Sequence, residues 1–230
     1  MKPNGKTLGI LGGMGPAATA EFMRLLAVNA PADKDQEHAR MFVYSNPITP
    51  DRTSFILGQG PDPSKYLRDG LDTLTSWGAD MLAVTCNTAH FFIDQFRNEL
   101  KVPVVHIVEE TIAEAASLSP RGAWLVATFG TINTGLYQKH AEKSAYSFRI
   151  PSNEMQVRIQ EVIEITKAGK LDEAGSQFKK ICEELWAIED LPIIGACTEI
   201  PIAYQYSGLP LEKSVSSLSA LANGCLKRLY

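Results

Sequence analysis

The sequence predicts an α/β protein of two similar lobes, each a parallel sheet flanked by helices, related by pseudo-two-fold symmetry. Three observations carry that prediction. Short apolar runs alternate with amphipathic segments along the chain, the pattern of strands that crossover helices bury on both faces. The alternation restarts near residue 122. Each half also echoes the other: an early glycine-bearing strand–turn–helix (GILGGMGPAAT; WLVATFGTINTGLY) and a later strand ending in cysteine. Those cysteines, Cys86 and Cys197, lie 197 − 86 = 111 positions apart in a chain of 230. A period that long fits a duplicated lobe and not a solenoid of short repeats.

Taken in order, residues 7–13 (TLGILGG) read as a buried strand closed by glycines, and 16–30 as a helix with Pro16 in its first turn. Residues 39–46 form a second strand, followed by NPITPDR, whose prolines break regular structure. Leu67, Leu71 and Leu74 mark a helix over 66–78. Strand 80–86, helix 88–100, strand 102–107 and helix 109–118 follow. In the second half, 122–128 is a strand, FGTINTG a turn, 135–143 a helix, and 155–169 and 171–188 amphipathic helices. Residues 191–197 form the last strand and 211–229 a closing helix.

Composition removes several classes of function. A net charge of −4, with no basic patch interleaved with aromatics, argues against nucleic acid as a partner. The apolar run near the N-terminus is too short for an export signal, and no stretch reaches membrane-span length. Four cysteines at 86, 182, 197 and 225 make no disulfide framework, so a reducing cytoplasmic setting with no membrane partner is expected. GMGPAA (13–18) satisfies a dinucleotide glycine pattern. It lacks the acidic residue at the end of the next strand, and Pro16 removes a backbone donor a pyrophosphate would use. For metal, Cys86 and His90 make the one local pair at ligand spacing, too few for a zinc site.

The thiols invite more. Most unpaired cysteines are small buried hydrophobes, and Cys182 and Cys225 read that way. Cys86 and Cys197 each end a strand, precede hydrogen-bonding residues (Asn87 and Thr88; Thr198) and introduce a predicted helix N-terminus. Such a position lowers a thiol's pKa and offers backbone donors to a carboxylate. Ligands of parallel sheets bind beyond the carboxyl ends of strands. Two facing lobes would therefore set one thiol on each side of a shared cleft. Arg52, in a loop on the same predicted edge, is either a solvated loop residue or a planar fork for a carboxylate. Lys167 reads by default as an exposed helix-end lysine.

GILGGMGPAAT, TPDRT, VTCNTAH, GTINTGLY and GACTEIP, in this order and over essentially the full length, resemble the aspartate/glutamate racemases that work without pyridoxal phosphate, and aspartate racemase above all. The resemblance implies Cys86 and Cys197 as acid/base thiols with no cofactor, Cys197 taking the proton of the L-enantiomer and Cys86 that of the D-enantiomer. It implies Asn87, Thr88, Thr131 and Thr198 around the α-carboxylate and amino groups. Arg52 would hold the side-chain carboxylate with Lys167 assisting, and Met14 would form pocket wall. It further implies a homodimer, and lobes of 1–101 and 102–208 with residues 209–230 returning to the first. Keeping both cysteines favours reversible racemisation. Glutamate or broad-range racemisation is the alternative within the family. A non-catalytic dicarboxylate-binding protein is the alternative outside it.

Overall fold

The computed structural model describes residues 2–230. The chain divides into two compact units: residues up to Ile107 with Leu218–Tyr230, and Val108–Ser217. In chain order the first unit holds β1 (Leu8–Gly12), α1 (Pro16–Asn29), β2 (Met41–Ser45), α2 (Arg52–Ile56), α3 (Ser64–Ser76), β3 (Met81–Val84), α4 (His90–Ile93) and β4 (Val104–Val105). Next come α5 (Ile107–Leu118), β5 (Ala123–Val126), α6 (Phe129–Thr134), α7 (Leu136–Ala141), β6 (Phe148–Arg149), α8 (Asn153–Lys167), α9 (Leu171–Ile188), β7 (Ile193–Gly195), α10 (Ile200–Gln205) and β8 (Ser214–Ser216). The final helix, α11 (Ser217–Leu229), belongs almost wholly to the first unit. There Asn4 N donates to the Leu229 carbonyl at 2.7 Å, and the Tyr230 hydroxyl donates to the Glu37 carbonyl at 2.8 Å.

Each unit contains one four-stranded sheet, and every strand pair in both is parallel. The orders are β2-β1-β3-β4 and β6-β5-β7-β8, the same topology twice. The two inner strands of each sheet are buried at every position, which explains why they read as continuous apolar runs without alternation. In the first unit, α3 lays Leu67, Leu71 and Leu74, all fully buried, over β1 and β3. Each such burial stabilises by about 1.5–3 kcal/mol. In the second, α8 and α9 share a core of Ile159, Val162, Ile163, Phe178 and Leu185 against β5 and β7.

Three expectations need correction. FGTINTG is no turn: Thr128 caps a helix with its hydroxyl, which accepts from Thr131 N, and Gly135, with φ near 62°, ends it. The closing segment is not one helix: Val215 pairs beside Ile194, making 214–216 an edge strand before α11 begins. Pairing with a neighbour decides there, where local pattern could not. The helix over 88–100 is one turn, α4, then a turn and a 3-10 helix at Arg97–Glu99. Among the described residues no helix is long and apolar enough to cross a membrane.

Gly175 lies inside α9, where alanine would ordinarily gain about 1 kcal/mol in helix propensity. A Cβ there would overlap the Tyr206 carbonyl oxygen at the end of α10. Gly175→Ala should therefore destabilise by roughly 1–3 kcal/mol, read as a lower urea midpoint; an unchanged or raised midpoint would contradict this packing. Burial also raises the pKa of Cys182, Tyr137, Tyr146 and Tyr204. Stability linked to their neutral forms is complete below the unfolded values, about 8.5 for a thiol and 10 for a phenol. It is lost as pH rises toward the higher folded values. The urea midpoint should fall progressively above about pH 8.5, and a flat profile to pH 11 would exclude the linkage.

Candidate functional site

In a sheet ordered 2-1-3-4, the strands following β1 depart to opposite sides, leaving a crevice beyond the carboxyl ends of β1 and β3. In the first unit Leu11 pairs with Val84 and Gly12 with Ser45, so all three strands stop at one edge. The glycine turn follows β1 there. Gly13 has φ near 88°, and a Cβ on it would overlap the Asn46 backbone, while one on Gly12 would overlap Thr19. Both positions therefore require glycine. The Thr19 hydroxyl accepts from Gly13 N at 3.0 Å, donates to the Gly15 carbonyl at 3.2 Å and lies 3.1 Å from the Thr85 hydroxyl. This ties the turn to the end of β3.

Cys86 lies two residues beyond β3, buried with Met14 in one apolar cluster. Asn87 and Thr88, also buried, form the turn that leads into α4. His90, fully buried, lies with Nδ1 2.8 Å from the Cys86 carbonyl, which fixes the backbone under the thiol. His106 lies against His90 with ring centroids 4.4 Å apart and places Nε2 3.1 Å from Asp94. Arg52 opens α2 at this same edge, after β2. It is 9% exposed, and its Nη1 donates to the Thr49 and Pro50 carbonyls at 3.3 and 3.0 Å. It is thus an anchored, buried guanidinium and not a solvated one.

The second unit repeats the plan. Val126 pairs with Gly195, and Cys197 again lies two residues beyond its strand. Thr131, fully buried, places its hydroxyl 3.2 Å from that of Thr128 in the first turn of α6. Gln156 donates from Nε2 to the Ala127 carbonyl at 2.8 Å, holding the chain just past β5. Cys197 donates from Sγ to Glu199 Oε2 at 2.9 Å, and the Thr198 hydroxyl donates to the same oxygen at 3.1 Å. Lys167, the last residue of α8, pairs with Glu164 at 3.3 Å.

One electrostatic expectation reverses here. A helix N-terminus should lower the Cys197 pKa, yet burial and the Glu199 carboxylate push this thiol well above its ordinary value, and Lys167 only partly opposes them. The helix that follows has six residues and begins three positions later. A terminus contributes about 0.3–1 kcal/mol, whereas removing a charge from water costs several. Cys197 is therefore held as a thiol. Cys86, Asn87, Thr88, Met14 and Arg52 gather on the first unit's edge, and Cys197, Thr198, Thr131 and Lys167 belong to the second. Sequence reasoning gave no role to Glu199, Thr19, Thr85 or Gln156. The signal for Glu199 was present: a lone carboxylate within the otherwise uncharged IIGACTEIPIAY needs a partner when buried.

Comparison with known proteins agrees with this construction. The Asp/Glu/hydantoin racemase family matches residues 11–216. A broad-specificity amino-acid racemase from Bacillus subtilis is 28% identical over 221 residues, covering 92% of this chain and 94% of that protein. Among solved structures, an aspartate racemase from Picrophilus torridus superposes with a TM-score of 0.85 at 26% identity, covering 98% of this chain and 96% of its own. A glutamate racemase isoform from Bacillus anthracis shares the fold, with a TM-score of 0.66 at 16% identity over 95% of this chain and 79% of its own. With the family match spanning both thiol-bearing turns, the chain belongs to the Asp/Glu/hydantoin racemase family.

Proposed function

We propose that this chain interconverts L- and D-aspartate by two-base proton transfer, with Cys86 serving one face of the α-carbon and Cys197 the other. The observation that carries this reading is the matched placement of the two thiols. Each follows an inner strand of an identically ordered sheet by two residues and is buried against its own core. This division of labour suits inversion, because a base fixed on one face of the α-carbon is badly placed to protonate the other. The carbanion formed in between places charge on the α-carboxylate, where fixed donors stabilise it. Asn87, Thr88, Thr131 and Thr198 fill that role in this proposal. Arg52, one arm held by two backbone carbonyls, offers its fork to the side-chain carboxylate, with Lys167 assisting. Met14 forms apolar wall.

Aspartate is chosen on the Picrophilus torridus aspartate racemase, which matches nearly the whole chain. The Bacillus subtilis relative favours a second reading, in which the same chemistry accepts other amino acids. Such breadth is physically easy, since one methylene alters discrimination by only about 1–3 kcal/mol. We further propose that the protein acts as a cytoplasmic homodimer without a cofactor.

Polarimetry on purified protein under reducing conditions tests the reaction. Cys86→Ser and Cys197→Ser should each reduce racemisation of both enantiomers by roughly 100- to 10,000-fold. Full activity in either variant would remove that thiol from the mechanism. Arg52→Lys keeps the charge but loses the fork, so KM for aspartate should rise roughly 10- to 100-fold with kcat changed less. A loss of stability with KM unchanged would instead make Arg52 a staple for the 49–52 loop.

A further inference from the structure

A carboxylate inside an apolar core is costly unless something there uses it. Glu199 is 4% exposed and is followed in the chain by Ile200, Pro201 and Ile202, all buried. Its Oε2 accepts from both the Cys197 thiol and the Thr198 hydroxyl. Its Oε1 is buried and makes no hydrogen bond among the described residues. No lysine or arginine forms an ion pair with it among the described residues; the cation acting on the cluster is Lys167, through its field at Cys197. The Cys197 thiol and the Thr198 hydroxyl both reach one carboxyl oxygen, which sets sulfur and oxygen at a distance where they can share a proton. Fold stability alone gives no account of this arrangement. An apolar residue of similar size would avoid both the desolvation and the unpaired oxygen.

We propose that Glu199 is a positioning residue that shares one proton with Cys197, taking it on Oε2 when the thiol must become a base. The inference rests on the racemase reading and deepens it. In the resting dyad the proton is on sulfur. On activation the S–H bond breaks and an O–H bond forms on Glu199, with the charge of the pair unchanged and no co-reactant needed. The resulting thiolate takes the α-proton, forming S–H as C–H breaks. The electron pair left on the α-carbon is protonated from Cys86 on the opposite face. The dyad then carries one proton more and Cys86 one fewer, a difference that solvent or a turnover in the reverse direction restores. Until activation, burial and the carboxylate's charge hold the proton on sulfur, so the thiolate forms only as Glu199 accepts it.

The test uses the full chain with Glu199→Gln and Glu199→Asp, each with a urea midpoint to establish folding. Racemisation of L- and D-aspartate is measured alongside the pH dependence of Cys197 alkylation by iodoacetamide, in a Cys86→Ser background and with peptide mass spectrometry to assign the site. Since the thiolate is the nucleophile, Glu199→Gln should move the alkylation profile to lower pH. In a chain with Cys86 intact, it should also slow racemisation roughly 100-fold or more. A more easily ionised thiol that catalyses less well is not what loss of packing would produce. Glu199→Asp, keeping the carboxylate, should recover part of the rate. A folded Glu199→Gln variant with wild-type racemisation and an unmoved alkylation profile would overturn the proposal. Should Glu199→Gln not fold, Glu199→Met is read in its place, and an alkylation profile unmoved by that loss of the carboxylate would overturn it equally. Alkylation needs no turnover: if no amino acid is racemised by the unmodified chain, the racemase reading fails while the shared proton is still read directly.

Discussion

Parallel pairing constrains everything else in this molecule. A parallel sheet must return each strand through a crossover, so all strands of a sheet end on the same edge. The order 2-1-3-4 then opens a crevice beyond the first and third. Both units obey this, and both set a cysteine two residues beyond the third strand of their own sheet, at Cys86 and Cys197. What surrounds each thiol serves to hold that edge. Thr19 and Thr85 join the glycine turn to the end of β3, His90 fixes the Cys86 carbonyl, and Gln156 fixes Ala127 past β5. Polar groups that would otherwise be buried without partners thereby hold the turns that carry the two thiols.

The two edges differ in charge although they agree in topology. Arg52 brings a buried guanidinium to the first. Glu199 brings a buried carboxylate to the second, hydrogen-bonded to its thiol. Racemisation of a single substrate is symmetric in outcome, but nothing requires its two bases to be chemically alike in their surroundings. A dicarboxylic substrate needs a cation for its side chain. A buried thiol held protonated needs a proton acceptor before it can act as a base. On the proposed reading Arg52 and Glu199 would supply these from separate units, each built on its own hydrophobic core.

Much of this was legible in the sequence because the inner strands and long helices carry strong periodic signals. Residues 171–188 form a helix with those bounds, and the 16–30 helix differs by one residue. The elements missed were those set by partners distant in sequence. β6 and β8 are two- and three-residue edge strands that exist through pairing with β5 and β7. α6 exists because Thr128 caps it, a signal that the flanking glycines obscured. At the candidate site, the sequence placed the thiols and Arg52 after strand ends, where the structure has them. The raised Cys197 pKa could not be read there, since it follows from how deeply Glu199 is buried and which oxygen the thiol meets. Sequence spacing fixes neither.

The measurement that bears most directly on two-base racemisation follows the α-hydrogen in D2O by NMR during the first turnovers, starting from L-aspartate and separately from D-aspartate. With one thiol on each face, the abstracted hydrogen is not the one returned. The newly formed enantiomer should then carry solvent deuterium from the outset while unreacted substrate stays protiated. Product that retains the substrate's own α-hydrogen would mean a single group hands it across, and the paired placement of Cys86 and Cys197 would lose its explanation.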